Sequence, residues 1–597
     1  MKQQVRGQVR RGQVITTYGP GSLIDLPRHS AIVAGLDSWP KPADLEEIDE
    51  PRLAQKLASM TGVVAPRLYA PPPDTSVPGE DPPCIGAWLF PEWCLVQDEG
   101  PYSERKRSRR LVHRAKLDHN GKLEGRKVVA TRFVRACERG HVDDLDWHGF
   151  VHGAESECRR QLWLDEEGTS GDLGELVVRC ECGQRRRLSE AGERVGNPLG
   201  PCRGTRPWLG RVAPEACDQM SRLLIRTASN AYFPQVLSTL SLPDRGTAVD
   251  AAVAELWDDL QVVDDAAELA TLKKKARIAA RLTSFSVDEV LAAILARKSG
   301  RADSREVKLV ELEALLAAPE GYGDDVPVDP DFHARRLPDR AWRKSARFDS
   351  VEAVIQLHRL REVMALFGFT RLEGVTPSIH GEYEQDARPA AIAIEPTWFP
   401  AVENRGEGVF VQLRATAVRT WSARPEVQRR IERLAAGHAR WASDRKNARP
   451  FPGGPYILLH TLSHLLIQSL SMRCGYPASS IRERVYVDAP GGRFGVLLYT
   501  GSPDADGTLG GLVQQARYVE EHLAQALRVA GLCSNDPICA QHAPGSSMEG
   551  RWLHGAACHG CALVAETSCE MRNDYLDRAL VVPVLGLSEA AFFADVT

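Results

Sequence analysis

The densest group of residues able to bind a metal ion lies near the C-terminal end of the sequence. Cys558 and Cys561 form a C-x-x-C pair, and Gly560 between them eases the tight turn that aims two thiolates at one ion. Tetrahedral zinc needs two further ligands, which Cys569 and either Cys533 or Cys539 would supply. The spacing therefore predicts a structural zinc site between residues 533 and 569.

Other interpretations of this stretch remain open. His542, His554 and His559 are alternative ligands to the cysteines. The thiols would otherwise be buried and unligated, or the C-x-x-C pair would be a redox site. A redox pair of the thioredoxin type sits in a βαβ context, which this stretch does not show, so zinc is favoured.

A second group of cysteines lies between residues 137 and 217. A C-x-C pair, Cys180 and Cys182, occurs in a strand–turn–strand pattern. With Cys158 and Cys202 it makes the preferred set of four ligands. Cys137 with His141 is an alternative half-site, and Cys217 is a reserve ligand. Together the two groups predict one or two structural zinc ions.

Two histidine patterns are candidates for catalytic metal sites. His141 is followed by Asp143, Asp144 and Asp146, but residues of these types are common in turns and helix starts, and no nucleophile is evident beside them. His460 and His464 lie on one face of an apolar helix. The glutamate of H-E-x-x-H is missing, so a buried helix with polar partners is favoured. No catalytic residue is predicted.

Local basic runs are the candidates for contact with nucleic acid, because the net charge of −4 gives the chain no overall attraction to it. The strongest run covers residues 103–116. A second run follows the C-x-C pair. The candidate DNA contacts in these two runs are Arg105, Lys106, Arg107, Arg109, Arg110, Arg185, Arg186 and Arg187. Solvated surfaces would explain the same runs.

Length and composition describe the chain that must position these groups. Its 597 residues exceed what one hydrophobic core holds, so several domains are expected. The sequence is 43% hydrophobic and 26% charged, which is ordinary for a globular protein. No apolar run reaches the roughly 18 residues of a membrane helix, and no signal peptide is recognisable. A cytoplasmic location is expected, where cysteines bind metal more often than they form disulfides.

The predicted fold is α+β and multidomain, with a zinc-stapled β-rich N-terminal part, a helical middle and an α/β C-terminal domain that carries the cysteine cluster. Residues 1–130 form an α+β region with basic and proline-rich loops, and residues 131–215 form the cysteine-rich module. Residues 216–445 are mostly helical with a linker near 318–344, and residues 446–597 form the last domain. Local patterns predict a strand at 14–18 and an amphipathic helix at 351–374.

Several motifs resemble known proteins. The runs LHTLSHLLIQSL, RERVYV, CSNDPIC and AACHGCALVAETSCE resemble a cysteine-bearing domain at the ends of some bacterial superfamily 2 DNA helicases. With ITTYGPGSLIDL, FVRACERGHVDDLDW, VVRCECG and CRGTRPWLG, they resemble a family of components of the DISARM anti-phage defence system. The resemblance covers both ends of the chain, and residues 240–440 match by position alone.

The resemblance implies a non-ATPase subunit that binds a DNA helicase and helps it to engage phage DNA, as single strands. Zinc in the C-terminal domain would be structural. The absence of the G-x-x-x-x-G-K-[ST] phosphate loop agrees with a subunit that is not the motor. The alternative function is a metal-dependent nuclease, or another DNA-processing enzyme, that uses His460, His464, Asp504 and Asp506.

Overall fold

The structure is a computed structural model, and it contains both helices and strands in most parts of the chain. It describes residues 7–594 except 28, 74–82, 98–106, 154–155, 193–195, 243–248, 250–251, 254, 299–305, 324–330, 384–388, 444, 446–447, 502–510 and 546–550. Several separate hydrophobic cores and cysteine clusters in both the N-terminal part and the C-terminal part confirm the predicted mixed, multidomain class. No helix in these ranges is long and apolar enough to cross a membrane.

Within the described residues, the strands form four sheets. They are β1 (Leu23–Leu26), β2 (His29–Val33), β3 (Arg67–Tyr69), β4 (Ala87–Leu89), β5 (Trp93–Val96), β6 (Arg107–His113), β7 (Val128–Ala130), β8 (Phe133–Ala136), β9 (Val142–Asp143), β10 (Leu162–Glu166), β11 (Leu176–Cys180), β12 (Arg185–Arg187), β13 (Arg222–Ile225), β14 (Phe233–Leu240), β15 (Phe332–Arg336), β16 (Val351–Thr370), β17 (Trp398–Leu413), β18 (Ile481–Asp488) and β19 (Arg493–Thr500).

The α-helices of the described residues are distributed over both halves of the chain. They are α1 (Arg11–Thr16), α2 (Pro51–Thr61), α3 (Trp147–His152), α4 (Trp257–Leu260), α5 (Ala266–Leu272), α6 (Ala276–Leu282), α7 (Val287–Lys298), α8 (Val307–Leu316), α9 (Asp339–Trp342), α10 (Ala415–Ser422), α11 (Pro425–Ser443), α12 (Gly454–Cys474), α13 (Gly511–Gln514) and α14 (Val519–Ala530). Helices α4 to α7 have a small hydrophobic core of their own.

The central sheet is built around two long antiparallel strands, β16 and β17. Its order is β14-β16-β17-β19-β18, with β15 also paired to β16 and β3 paired in parallel to β17. Because β17 pairs with β19, this sheet joins the middle of the chain to the last segment across the expected boundary near 446. Helix α12 packs against β18 and β19, and nearly all of its side chains are buried.

A six-stranded sheet in the N-terminal half carries the second group of cysteines. Its order is β12-β11-β10-β6-β5-β7, and the neighbouring strands are antiparallel. A smaller sheet has the order β13-β8-β9, and its strands come from the same half of the chain. The β8–β9 hairpin and the β11–β12 hairpin each bring a cysteine to a turn, so these two sheets position the N-terminal metal ligands.

The predicted helix at 351–374 is wrong, because residues 351–370 form strand β16. It pairs with β14 and β15 along one edge and with β17 along the other. Its side chains are buried on both faces of the sheet. A strand covered on both faces has a nearly continuous apolar sequence, which a helical spacing pattern matches equally well. Tertiary pairing therefore decides the outcome, and the middle of the chain contains strands β13 to β17 as well as helices.

Two further local predictions are wrong. Residues 217–234 have apolar residues at helical spacing, which predicts a helix that ends at Pro234, but they form β13 and the start of β14. Strand β14 is at the edge of the sheet among the described strands, where a proline is tolerated. The expected strand at 14–18 is largely the short helix α1, whose Val14 and Ile15 are buried. Helix α1 packs against strands β14, β16 and β17 of the central sheet and is not one of its strands.

A buried arginine holds the N-terminal part to the central sheet. Arg371 directly follows β16 and is 0% exposed. Its guanidinium donates hydrogen bonds to the carbonyl oxygens of Gly140 (2.9 Å), Ala231 and Gly21. Burial lowers the pKa of Arg371 to about 10, which leaves the group charged at neutral pH. Three separate segments are thus joined by one cation.

We expect Arg371→Met to destabilise the protein strongly, because three buried carbonyl oxygens lose their donor at about 1 kcal/mol or more each. The thermal unfolding midpoint should fall by roughly 5 °C or more. Arg67→Met is the matched control, since Arg67 pairs with Glu47 on the surface and such pairs contribute at most about 1 kcal/mol. Equal midpoints for the two variants would contradict the structural role of Arg371.

Candidate metal centres

Four thiols meet in the C-terminal cysteine stretch. They belong to Cys533, Cys539, Cys558 and Cys561, and we call this group the four-cysteine centre. The Sγ atoms of Cys533 and Cys558 lie 3.5 Å apart, those of Cys539 and Cys561 lie 3.7 Å apart, and those of Cys558 and Cys561 lie 3.7 Å apart. A disulfide is about 2.05 Å long. The edge of a tetrahedron with Zn–S bonds of about 2.3 Å is about 3.8 Å, so the geometry fits zinc.

Hydrogen bonds from nearby nitrogen atoms favour the thiolate form in this centre. The backbone amide of Asn535 donates to Cys533 Sγ at 3.4 Å, and its side-chain amide donates to Cys558 Sγ at 3.3 Å. Although burial alone would raise it, hydrogen bonds from Asn535 and Cys533 bring the pKa of Cys558 down to about 7. A thiolate is the form that binds a metal. Cys558 is therefore the thiol best prepared for an ion, whereas the neighbouring thiol of Cys561 and burial raise the pKa of Cys539.

The structure does not bring Cys569 to this centre. Its sulfur lies beside His460, in a separate group with His464 and Glu483. His542, His554 and His559 are not part of the four-cysteine centre either. The sequence left open whether Cys533 or Cys539 is the fourth ligand, and the structure includes both because each pairs with one member of the C-x-x-C turn.

The second cysteine group divides into two centres. The first, which we call the His141 centre, consists of Cys137, His141, Cys202 and Cys217. His141 Nδ1 lies 3.3 Å from Cys137 Sγ and 3.5 Å from Cys202 Sγ. On the other side of the ring, His141 Nε2 lies 2.6 Å from a carboxylate oxygen of Glu215. A carboxylate behind a histidine in this way orients the ring toward a zinc ion.

The other N-terminal centre, the His152 centre, consists of His152, Cys158, Cys180 and Cys182. His152 Nε2 lies 3.2 Å from Cys182 Sγ, and Cys158 Sγ lies 3.7 Å from Cys180 Sγ. His152 Nδ1 is 2.9 Å from the carbonyl oxygen of His148, to which it donates a hydrogen bond, so Nε2 is left to bind metal. A backbone hydrogen bond from Gln184 and one from His152 lower the pKa of Cys182 to about 6.

The preferred set of Cys158, Cys180, Cys182 and Cys202 is thus not brought together. Cys202 instead belongs to the group of Cys137 and His141, and Cys217 is the fourth member of that group. His152 is the fourth member of the other group, and it is not among the ligands predicted from the sequence. Its signal was weak, because a lone histidine at the end of a short helix has no fixed spacing to the cysteines that follow.

The acidic residues near His141 have structural roles. Asp143 pairs with Arg135 at 2.7 Å, and Asp144 accepts a hydrogen bond from the backbone of Glu92 at 2.8 Å. Asp146 caps the first turn of α3 through Gly149. None of the three belongs to the four-ligand groups found among the described residues.

The predicted basic contacts have different environments. Arg105 and Lys106 lie outside the described residues, and Arg107 begins strand β6. Arg109 pairs with Glu166, and Arg110 lies 3.3 Å from Glu124. Of the second run, Arg186 and Arg187 donate hydrogen bonds to the carbonyl oxygens of Phe150 and Gly174. Arg185 is exposed at the start of β12.

We expect Cys539→Ser to lose one zinc ion per chain, because this change removes a ligand from the four-cysteine centre. Elemental analysis of the purified full chain measures the loss directly. Cys474→Ser is the matched control, since Cys474 belongs to none of the four-ligand groups among the described residues. An unchanged zinc content in Cys539→Ser would remove the four-cysteine centre from the account.

Comparisons with known proteins agree with these centres. Residues 462–562 match the family described as the MrfA Zn-binding domain, and this range includes the whole four-cysteine centre. Residues 10–233 match a domain of unknown function, DUF8724, which includes the His141 and His152 centres. The zinc prediction is confirmed, although the four-cysteine, His141 and His152 centres together exceed the one or two ions expected.

DISARM protein DrmB of Bacillus paralicheniformis is 31% identical over 482 residues, which cover 78% of this chain and 83% of that protein. The chain therefore belongs to the DISARM protein DrmB family.

Proposed function

We propose that this chain is a non-catalytic subunit of a DISARM complex that binds the helicase subunit and helps it to engage single-stranded phage DNA. The observation that carries the proposal is the similarity to DISARM protein DrmB over most of both chains. The match to the MrfA Zn-binding domain supports it, because the motifs of this region resemble a domain found at the ends of bacterial DNA helicases.

The sequence supports an accessory role. It contains neither the phosphate-binding loop of an ATPase nor the D-E-x-H motif of a helicase. The alternative of a nuclease gains no support from the geometry. His460 and His464 are both 0% exposed, so a phosphodiester has no access to them, and Asp504 and Asp506 lie outside the described residues. A metal-dependent nuclease needs an open coordination position that the substrate can reach.

A basic segment is the surface that best suits a DNA backbone. We define it as residues 107–132, which run from β6 to β7, two strands that lie on either side of β5, and contain nine lysines and arginines but only two acidic residues. Lys116, Lys122 and Lys127 are exposed and form no ion pair with a described residue. Free cations that release counterions on binding dominate the affinity of proteins for nucleic acid. The predicted basic run at 103–116 overlaps this basic segment, and Arg185 is a separate exposed cation.

We expect the triple change Lys116→Gln, Lys122→Gln and Lys127→Gln to weaken binding of single-stranded DNA and to flatten its salt dependence. Loss of three phosphate contacts reduces the slope of log K against log salt by up to about 2. Fluorescence anisotropy of labelled DNA, with the helicase subunit present, measures both quantities. The control changes Lys273, Lys274 and Lys275 to Gln, which removes the same charge from the separate helical unit. Equal slopes for the two triple variants would contradict the role of the basic segment.

An apolar surface beside the four-cysteine centre suits a protein partner. Leu532 and Leu585 are 77% and 55% exposed and line one open depression of about 690 Å³ together with Cys533. Adjacent exposed leucines of this kind mark contact surfaces between proteins. Cys533 is also a ligand of the four-cysteine centre, so zinc would fix the shape of this surface. We assign the helicase contact to it.

We expect Leu532→Asp to reduce retention of the helicase subunit on the tagged chain at least tenfold, because a charge at the centre of an apolar contact is desolvated without a partner. Co-purification at fixed concentrations measures retention. Val262→Asp, at a residue that is 66% exposed on the helical unit, is the control and should retain the helicase fully. Undiminished retention by Leu532→Asp would place the helicase contact elsewhere.

A further inference from the structure

A fourth group of potential metal ligands lies in the interior of the C-terminal part. His460 and His464 face it from adjacent turns of α12, Glu483 from β18, and Cys569 from the segment after the four-cysteine centre. We call it the buried histidine cluster. His460 Nε2 is 2.9 Å from Glu483 Oε1 and 3.1 Å from Cys569 Sγ, and His464 Nε2 is 3.4 Å from the same carboxylate oxygen.

The outer nitrogen of each histidine is committed to a backbone carbonyl. His464 Nδ1 lies 2.8 Å from the carbonyl oxygen of Ala562, and His460 Nδ1 lies 3.4 Å from that of Tyr575. A carbonyl oxygen only accepts hydrogen bonds, so each Nδ1 carries the proton of the neutral ring. Both Nε2 lone pairs then point into the cluster, which is how histidine ligands of metals are held.

The two other side chains are held just as firmly. Cys569 Sγ accepts hydrogen bonds from the backbone amides of Met571 at 3.3 Å and Asn573 at 3.1 Å. Glu483 accepts a hydrogen bond from the Ser463 hydroxyl on one oxygen and one from the backbone amide of Glu570, at 3.3 Å, on the other. Two amide donors on a buried sulfur stabilise a thiolate, and a positioned carboxylate supplies the fourth ligand atom.

Without a cation this arrangement is poorly satisfied. If both rings are neutral, their Nε2 lone pairs face a carboxylate oxygen, and acceptor faces acceptor. If one ring is protonated it donates to Glu483, but the lone pair of the other Nε2 still faces the same carboxylate oxygen. If both rings are protonated, two imidazolium ions lie with ring centroids 4.7 Å apart in a fully buried site, which repulsion and desolvation oppose. One divalent ion in the centre satisfies both nitrogen atoms, the thiolate and the carboxylate together.

We propose that His460, His464, Glu483 and Cys569 bind a further structural zinc ion, separate from the four-cysteine centre. Two nitrogen ligands, one sulfur and one oxygen suit zinc, which accepts mixed sets in tetrahedral geometry. All four side chains are buried and no coordination position faces solvent, so the ion would be structural. It would fasten α12, β18 and the final segment at one point.

The site is also coupled to the four-cysteine centre through the chain. Cys561 is a ligand of that centre, and the next residue, Ala562, provides the carbonyl oxygen that orients His464. Filling one centre therefore fixes the backbone that positions a ligand of the other.

Anomalous diffraction of the unaltered full chain at the zinc edge tests the proposal without relying on a variant that folds. We expect a peak within about 2.5 Å of the four ligand atoms, in addition to peaks at the four-cysteine, His141 and His152 centres. Peaks at those three centres with none in the buried histidine cluster would overturn the proposal.

Elemental analysis of variants gives an independent readout. We expect His464→Gln to contain one zinc ion fewer per chain than the unaltered protein and to keep the other ions. His522→Gln is the matched control, since His522 is equally buried in the same core but bonds only to Ser469 and Gln515 in the structure. A zinc content in His464→Gln equal to that of the control would contradict the proposal.

Discussion

Metal coordination is the constraint on which the C-terminal part of this protein depends. After α14 ends at Ala530, the described residues up to 594 form turns and one short 3-10 helix at Arg578–Leu580, with neither α-helix nor strand. Their backbone hydrogen bonds are mostly short turns, and a segment of this kind loses much conformational entropy when it is ordered. Cysteines at its start and middle converge in the four-cysteine centre, and closing such loops through an ion reduces that entropic penalty.

The same device recurs in the N-terminal half. The His141 centre ties the β8–β9 hairpin to the irregular chain around Cys202 and Cys217, and the His152 centre ties the end of α3 to the β11–β12 turn. Arg371 then connects the turn of the first hairpin to the end of β16. Zinc and one buried guanidinium thus reinforce a hydrophobic core that the β8–β9 hairpin shares with β16.

Sequence patterns predicted the chemistry of these centres better than their membership. The C-x-x-C turn fixes two ligands locally, so Cys558 and Cys561 were assigned to one ion correctly. The choice of partners depends on which strands pair, and strand pairing is non-local. Cys202 and Cys569 were therefore grouped with their neighbours in sequence, although the fold places them with His141 and His460.

The secondary structure shows the same division between local and non-local information. Helices α11, α12 and α14 and the β18–β19 pair follow their sequence patterns, because each has its own clear periodicity or end signals. Strand β16 does not follow its sequence pattern. It is buried on both faces of the sheet, so its apolar residues do not alternate and their spacing does not exclude a helix. The resemblance to DISARM components depends on motifs near both ends of the chain and not on periodicity. The comparison with DISARM protein DrmB confirms this resemblance.

The central functional claim is that this chain and the helicase subunit engage DNA together. The most direct measurement is the affinity for labelled single-stranded DNA of each protein alone and of the two mixed, over a range of salt concentrations. We expect this chain alone to bind the DNA weakly, and the mixture to bind it at least tenfold more tightly than either component. Affinity in the mixture no greater than that of the helicase alone would contradict a role in holding DNA.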